Sequence, residues 1–304
     1  MIKEELLSIF PERLQRVLLW AVPDWENLQE IRLRCGKSIV LIQGRKKVEP
    51  EQGGKVVSQR EFREVLEYIS RYSLYAFEEE IKKGYLTIPG GHRIGVAGKV
   101  IMEGNTVKTM RSISFLNVRV CHERRGCSDN VLPYLFEKGR FLSTLIVSPP
   151  GAGKTTLLRD FVRNLADGSR YAQAMTVAVI DERSEIAGCY QGIPGKDVGQ
   201  HCDVLDACGK AEGIPMMLRS MAPEIIAVDE IGEDRDFDAL SMALTSGCGL
   251  LATVHGSSLR HLYEKNAVAR ILSSGMFERI ILLGKDLSNW IQAIYDGRGE
   301  VVDP

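Results

Sequence analysis

Apolar residues recur at helical spacing over residues 3–20, at Leu6, Leu7, Phe10, Leu14, Val17 and Leu18, which predicts an amphipathic helix ended at the latest by Pro23. The pattern changes at 31–44, IRLRCGKSIVLIQG, where apolar and basic residues alternate about a Cys-Gly turn and predict two strands with one wet face. The next stretch, GRKKV at 44–48, reads as their solvated end. Ser58 and Glu61 stand at capping-box spacing ahead of Phe62, Val65, Leu66 and Ile69, so a helix is expected from there to about Arg71. A second helix, over 73–83, should stop at Gly84. Over 85–101 and 112–120 the period drops to two and glycines punctuate the runs, the signature of an antiparallel sheet.

The polar, turn-rich stretch CHERRGCSDN at 121–130 reads as a linker. Beyond it a helix is expected over 130–138, a strand over 143–147 and a helix over 153–166. Strands follow over 176–180 and 224–228, then a helix around 234–246 and strands over 250–254 and 278–283. Short apolar strands alternating with helices predict a mainly parallel sheet covered on both faces. The expected organisation is therefore a smaller α+β domain over 1–125, followed by an α/β domain over 126–304. The length of 304 residues, more than one hydrophobic core usually organises, agrees with two domains.

Composition narrows the partners. Thirty-nine basic against forty acidic residues give a net charge of −1, so no global field draws the chain to nucleic acid or an anionic membrane, and nucleic acid is not an expected partner. The longest apolar runs, at 142–147 and 278–284, are far too short to span a bilayer, and MIKEELLSIF lacks the pattern of a signal peptide. A cytoplasmic location is expected. The seven cysteines, an odd number at scattered positions, suit reduced thiols. The sets Cys121, His122, Cys127 and His201, Cys202, Cys208 do not have the spacing of common zinc ligands, so these thiols are expected to be small buried or surface groups.

The chemistry concentrates in LIVSPPGAGKTTLLRDF at 145–161, which runs strand, glycine-rich loop, helix. This is the context in which a P-loop pattern has mechanical meaning: glycines let backbone N–H groups close on phosphates, and the helix aims its positive end at the same anions. Ser148, Pro149, Pro150, Gly151, Ala152, Gly153, Lys154, Thr155 and Thr156 are thus the expected ATP-binding segment. Lys154 would meet the β and γ phosphates and the Thr155 hydroxyl would ligate Mg²⁺. Ser148 departs from the pattern G-x-x-x-x-G-K-[ST], occupying its first glycine position. Downstream, PEIIAVDEIG at 223–232 is an apolar strand ending in two acids: Asp229 is the expected Mg²⁺ partner and Glu230 the residue that orients or deprotonates the attacking water. Two more strand ends should open onto the same cleft, VAVIDERSEI with Asp181, Glu182 and Arg183, and GLLATVHGSS with Thr253 and His255.

The series SPPGAGKTT, VIDERSE, MLRSMAPEIIAVDEIG and SGCGLLATVHGSS resembles, in order and spacing, the Walker A loop, Asp box, Walker B strand and His box of the type II/IV secretion and pilus-retraction ATPases. That resemblance implies a RecA-like P-loop ATPase domain, a hexameric ring and Mg²⁺-dependent ATP hydrolysis. It also implies that one of Arg93, Arg111 and Arg119, on the strands before the linker, completes an ATP site. The chain departs from the family in carrying Asp229-Glu230 where Gly-Glu is usual, Gly232 where an arginine follows, and Cys248 in place of the first His-box histidine. The loop, the VIDERSEIAG segment and the IRLR stretch near residue 31 are similar to a sporulation-associated branch of that family. This narrower likeness implies a cytosolic ATPase serving membrane proteins of a secretion channel. The readings from other classes are a nucleotide-gated scaffold for membrane partners and a nucleic-acid-dependent RecA-like ATPase.

Overall fold

The computed structural model describes residues 2–44, 46–50, 56–70, 77–264, 266–285 and 290–303. The chain divides into two compact units, Met1–His122 with Gly188–Gly195, and Glu123–Ala187 with Lys196–Pro304.

In the first unit the N-terminal amphipathic stretch forms two helices, α1 (Ile2–Leu7) and α2 (Glu12–Ala21), where one was expected over 3–20. Pro11 separates them, because it lacks an N–H and its ring disfavours helical geometry at the preceding Phe10. Strands β1 (Leu28–Arg34) and β2 (Val40–Gln43) follow as expected, and β3 (Lys46–Val48) turns the basic end into an edge strand. Helix α3 (Gln59–Ile69) opens with the capping box: the Glu61 N–H donates to Ser58 Oγ at 3.2 Å and the Ser58 N–H to the Glu61 carboxylate at 2.9 Å. Helix α4 (Glu78–Lys83) ends at Gly84, whose φ of 84° closes it in the left-handed conformation; the expected start at 73 lies outside the described residues.

The remaining strands of this unit are β4 (Tyr85–Ile88), β5 (His92–Glu103) and β6 (Thr106–Arg119). Among the described residues they complete a six-stranded sheet, β3-β2-β1-β6-β5-β4, with every pairing antiparallel. Alternation gives the sheet one apolar face. Ile31, Leu33, Ile94, Val96, Leu116 and Val118 share a buried core with Leu6, Leu14 and Leu18 of α1 and α2 and with Phe62 and Val65 of α3. Tyr190, from the segment Gly188–Gly195, packs against that same core.

The second unit begins with a difference. The helix expected over 130–138 is replaced by a short 3₁₀ turn, Leu132–Leu135, and a minimal hairpin of β7 (Phe136–Glu137) and β8 (Arg140–Phe141). Lys138 (φ 51°) and Gly139 (φ 79°) make the two-residue left-handed turn that such a hairpin requires. Then come β9 (Thr144–Ser148), α5 (Lys154–Asp167), β10 (Val177–Asp181), β11 (Cys202–Asp206) and α6 (Lys210–Ser220). They are followed by β12 (Ile225–Val228), α7 (Asp234–Thr245), β13 (Gly249–His255), α8 (Leu259–Tyr263) and α9 (Asn266–Ser273). The C-terminal strands are β14 (Arg279–Leu283), β15 (Ile291–Asp296) and β16 (Val301–Asp303).

Among the described residues these strands form an eight-stranded sheet, β11-β10-β12-β13-β9-β14-β15-β16. It is parallel from β11 to β14, and β15 and β16 add antiparallel at the edge. Strands β9, β10 and β12 are buried at every position, as strands covered on both faces must be. Helix α6 is absent from the sequence reading because Gly213 and Pro215 interrupt it. The fold needs that glycine: a Cβ at 213 would come within 2.9 Å of Ile180 Cγ2. No helix among the described residues is long and apolar enough to cross a membrane.

Candidate nucleotide site

Strand β9 delivers Ser148 to the carboxyl edge of the sheet, beside His255 of β13 in register. From there the chain makes the loop 149–153 and re-enters as α5 at Lys154. Positive φ occurs in this loop at Gly151 (75°) and Gly153 (90°) and not at residue 148. A serine is therefore accommodated where the general pattern has glycine; its buried hydroxyl donates to the Pro149 carbonyl at 3.0 Å. A Cβ at Gly151 would stand in open space, so the loop surface is clear there. Helix α5 has no side-chain cap at Gly153, which leaves its first N–H groups for an anion.

The two motifs meet at the ends of β9 and β12. Lys154 Nζ donates to Glu230 Oε1 at 2.8 Å and lies 3.6 Å from Asp229 Oδ1. Thr155 Oγ1 donates to Asp229 Oδ2 at 2.7 Å, and the Thr253 hydroxyl of β13 donates to the other Asp229 oxygen. Glu230 also receives Arg183 Nη1 at 2.6 Å and stands 2.9 Å from His255 Nε2. Burial pushes the Glu230 carboxyl up, but the hydrogen bond and charge of Lys154, with the charges of Arg183 and His255, outweigh it and hold the group below its ordinary value. Glu230 has φ 54°, costly for a residue with a Cβ. Its N–H donates to Thr253 Oγ1 at 2.9 Å and to Asp229 Oδ1 at 3.0 Å, so the neighbouring strand end holds that conformation.

The Thr155 hydroxyl and the Asp229 carboxylate are hard oxygen donors of the kind Mg²⁺ prefers. Among the described residues no group of three or more His, Cys, Asp or Glu side chains could hold a metal by itself. A Mg²⁺ here would draw its further oxygens from phosphates and water, as this ion ordinarily does.

Asp181, Glu182 and Arg183 line one cleft with Asp229 and Glu230, as the strand-end argument expects. Their contacts differ. The buried Asp181 carboxylate accepts the N–H groups of Glu185, Ile186 and Ala187 at 2.8, 2.9 and 2.8 Å, so it caps the loop after β10. Burial raises its pKa, those N–H groups lower it, Asp206 raises it again, and the net shift is upward. Glu182 instead meets Lys210, whose buried Nζ donates to Glu182 Oε2 at 2.6 Å in the same cleft. Sequence reasoning misses Lys210; its only signal, a lysine after a glycine that follows an apolar-acidic alternation, is obscured by Gly213 and Pro215.

Arg93, Arg111 and Arg119 belong to the first unit. Arg93 and Arg119 are register partners across β5 and β6, with Glu30 of β1 on the other side of Arg119, while Arg111 pairs with Lys99 farther along the hairpin. The Arg93 guanidinium stacks 3.7 Å over the Tyr85 ring. Cys248 precedes β13 at its amino end, with His255 at the carboxyl end, and its thiol donates to the Pro223 carbonyl at 3.0 Å. That substitution therefore lies at the strand end opposite the site.

Comparison with known proteins identifies the family and the fold. The family described as "Sporulation stage III, protein AA" matches residues 1–302. Stage III sporulation protein AA of Bacillus subtilis (strain 168) is 40% identical over 301 residues, 98% of this chain and 96% of that protein. Protein SEEDLING PLASTID DEVELOPMENT 1 of Arabidopsis thaliana is 32% identical over 136 residues, 44% of this chain and 19% of that protein. Among solved structures, the Legionella pneumophila ATPase DotB superposes with a TM-score of 0.61 at 16% identity, covering 90% of this chain and 76% of its own. The pilus retraction motor PilT with bound ADP gives 0.61 at 15%, covering 95% and 82%. Those two likenesses are of fold, a RecA-like domain built on a mainly parallel sheet. A match that runs from residue 1 to residue 302 takes in both units, and on it the chain belongs to the sporulation stage III protein AA family.

Proposed function

We propose that the chain binds Mg²⁺ and ATP at residues 148–156 and hydrolyses ATP, as a hexameric ring that energises a sporulation-associated secretion channel from the cytoplasmic side. It would sit at the inner face of the membrane through membrane-protein partners. The observation that carries this reading is the cluster of Lys154, Thr155, Asp229 and Glu230, 74 and 76 residues apart in sequence yet joined by hydrogen bonds of 2.7 and 2.8 Å. The similar proteins, an ATPase, a pilus retraction motor and a sporulation protein, support it.

Each residue has a defined part. Lys154 exchanges Glu230 for the β and γ phosphates, and the N–H groups of the loop and of α5 hold the same oxygens. Thr155 and Asp229 hold Mg²⁺, which when bound neutralises charge on the phosphates. Glu230, released from Lys154, takes a proton from the attacking water. His255 and Arg183 keep that carboxylate oriented, Thr253 and His255 sense the γ phosphate, and Glu182 is held by Lys210 in the same cleft. An arginine from the first unit, Arg93, Arg111 or Arg119, adds charge at the ATP of a neighbouring copy.

Glu230→Gln tests the assignment. It should keep Mg·ATP bound while slowing single-turnover hydrolysis by roughly 100-fold or more. A rate equal to the parent's would move the base elsewhere, with Glu182 next in line.

A further inference from the structure

The antiparallel pair at the C-terminal edge of the sheet carries a side chain that the reading above does not use. Strand β14 is the parallel neighbour of β9, the strand that feeds the phosphate loop, and Trp290 immediately precedes β15 on the way back from β14. The Gly284 N–H donates to the Trp290 carbonyl at 2.8 Å, which fixes residue 290 to the end of β14. The Trp290 indole then makes two independent contacts with the loop. Its Nε1–H donates to the Ala152 carbonyl at 2.5 Å. Its ring also lies against Gly153, where a Cβ would stand 3.1 Å from Cζ2 and 3.5 Å from Cε2 and Nε1.

These contacts have a geometric consequence. The Ala152–Gly153 peptide is planar and trans, so its carbonyl and its N–H point in opposite directions. Holding the Ala152 oxygen on the indole therefore turns the Gly153 N–H away from Trp290. The same ring doubles the requirement for glycine at 153, which already has φ 90° and would lack room for a side chain. We infer that Trp290 is a positioning residue for the phosphate loop: the C-terminal strand pair uses its indole to hold Ala152 and Gly153 in the orientation that presents backbone N–H groups to a nucleotide triphosphate. The loop-holding part stands on these contacts alone; the nucleotide part rests on the ATPase reading above.

The test separates the two parts. Hydrogen exchange of the segment 149–156 in nucleotide-free protein should be about tenfold faster in Trp290→Ala than in the parent, the loss of roughly one well-placed hydrogen bond with its packing. Trp290→Phe, which keeps a ring and removes the N–H, should fall between them. Calorimetric titration of Trp290→Ala with Mg·ATP should show affinity weakened about tenfold, while the single-turnover rate at saturation stays within about threefold of the parent. Trp290→Phe should still bind nucleotide. Should Trp290→Ala not fold, Trp290→Phe carries the test, with loop exchange at least about threefold faster than the parent's. Loop exchange unchanged in the folded variants, with nucleotide bound by the parent, would overturn the inference and leave the ATPase reading in place. A parent that binds no nucleotide, with exchange that still responds at Trp290, would overturn the nucleotide part and the ATPase reading and leave the loop-holding role.

Discussion

At Asp181 the structure assigns work that the motif does not announce. An acid at the carboxyl end of a buried strand reads as a site residue, yet its two oxygens accept three backbone N–H groups of the loop 185–187. Asp181→Ala would leave those donors buried without an acceptor, so stability should fall by about 1–3 kcal/mol, read as a lower urea midpoint. An unchanged midpoint would show that the cap contributes nothing. Sequence does place the loop after Ser148, and Asp229, Glu230 and His255, at the ends of apolar strands, and the structure has them there. It does not reveal which acid is spent on backbone, that Lys210 holds Glu182, or that Trp290 reaches Ala152 from 138 residues away, since these are contacts between segments remote in sequence. The positive φ of Glu230 is equally invisible, because only the strands around it hold an ordinary residue in that conformation.

Among elements, helix α3 was the most completely legible, down to its capping box, because the signals are local. Where reading failed, one or two residues decided the matter: Pro11 splits the first helix, Lys138-Gly139 makes a hairpin of an expected helix, and Gly213 with Pro215 hides α6. Helix α3 also yields a pH prediction. Burial pushes the Glu61 carboxyl up, but hydrogen bonds from Arg13 of α2 and from Ser58 hold it down, at about 2 against an ordinary 4.5. A depressed acid stabilises the fold above its unfolded value and loses that contribution as pH falls, here between about 4.5 and 2. The parent should exceed Glu61→Gln in urea midpoint at pH 6, and the gap should shrink steadily as the pH is lowered through 4. A gap that does not change with pH would mean that the capping and arginine bonds do not stabilise the charged form.

On the scale of the whole molecule, the change from an antiparallel to a mainly parallel sheet was legible in the shift from alternating to continuous apolar runs, whereas the return of Gly188–Gly195 to the first unit was not. That short segment is glycine-rich, and its Tyr190 packs on a core built by residues far earlier in the chain. The ring proposal makes a prediction at this scale. If Arg93, Arg111 or Arg119 serves a neighbour's ATP, at least one substitution to Ala should cut turnover by about tenfold or more with ATP binding nearly intact. Mixing that variant with Lys154→Ala should then restore activity, because the lysine variant still lends its arginine to an intact site. Arginine variants that hydrolyse normally, with no recovery in any mixture, would exclude a shared site. The central claim comes before the ring, namely that the loop at 148–156 is a nucleotide site. Calorimetric titration with ATP in the presence of Mg²⁺, parent beside Lys154→Ala, tests it most directly. The account predicts saturable binding by the parent and affinity roughly 10- to 100-fold weaker in the variant, the loss of one charge-assisted contact; equal affinity in the two proteins would contradict it.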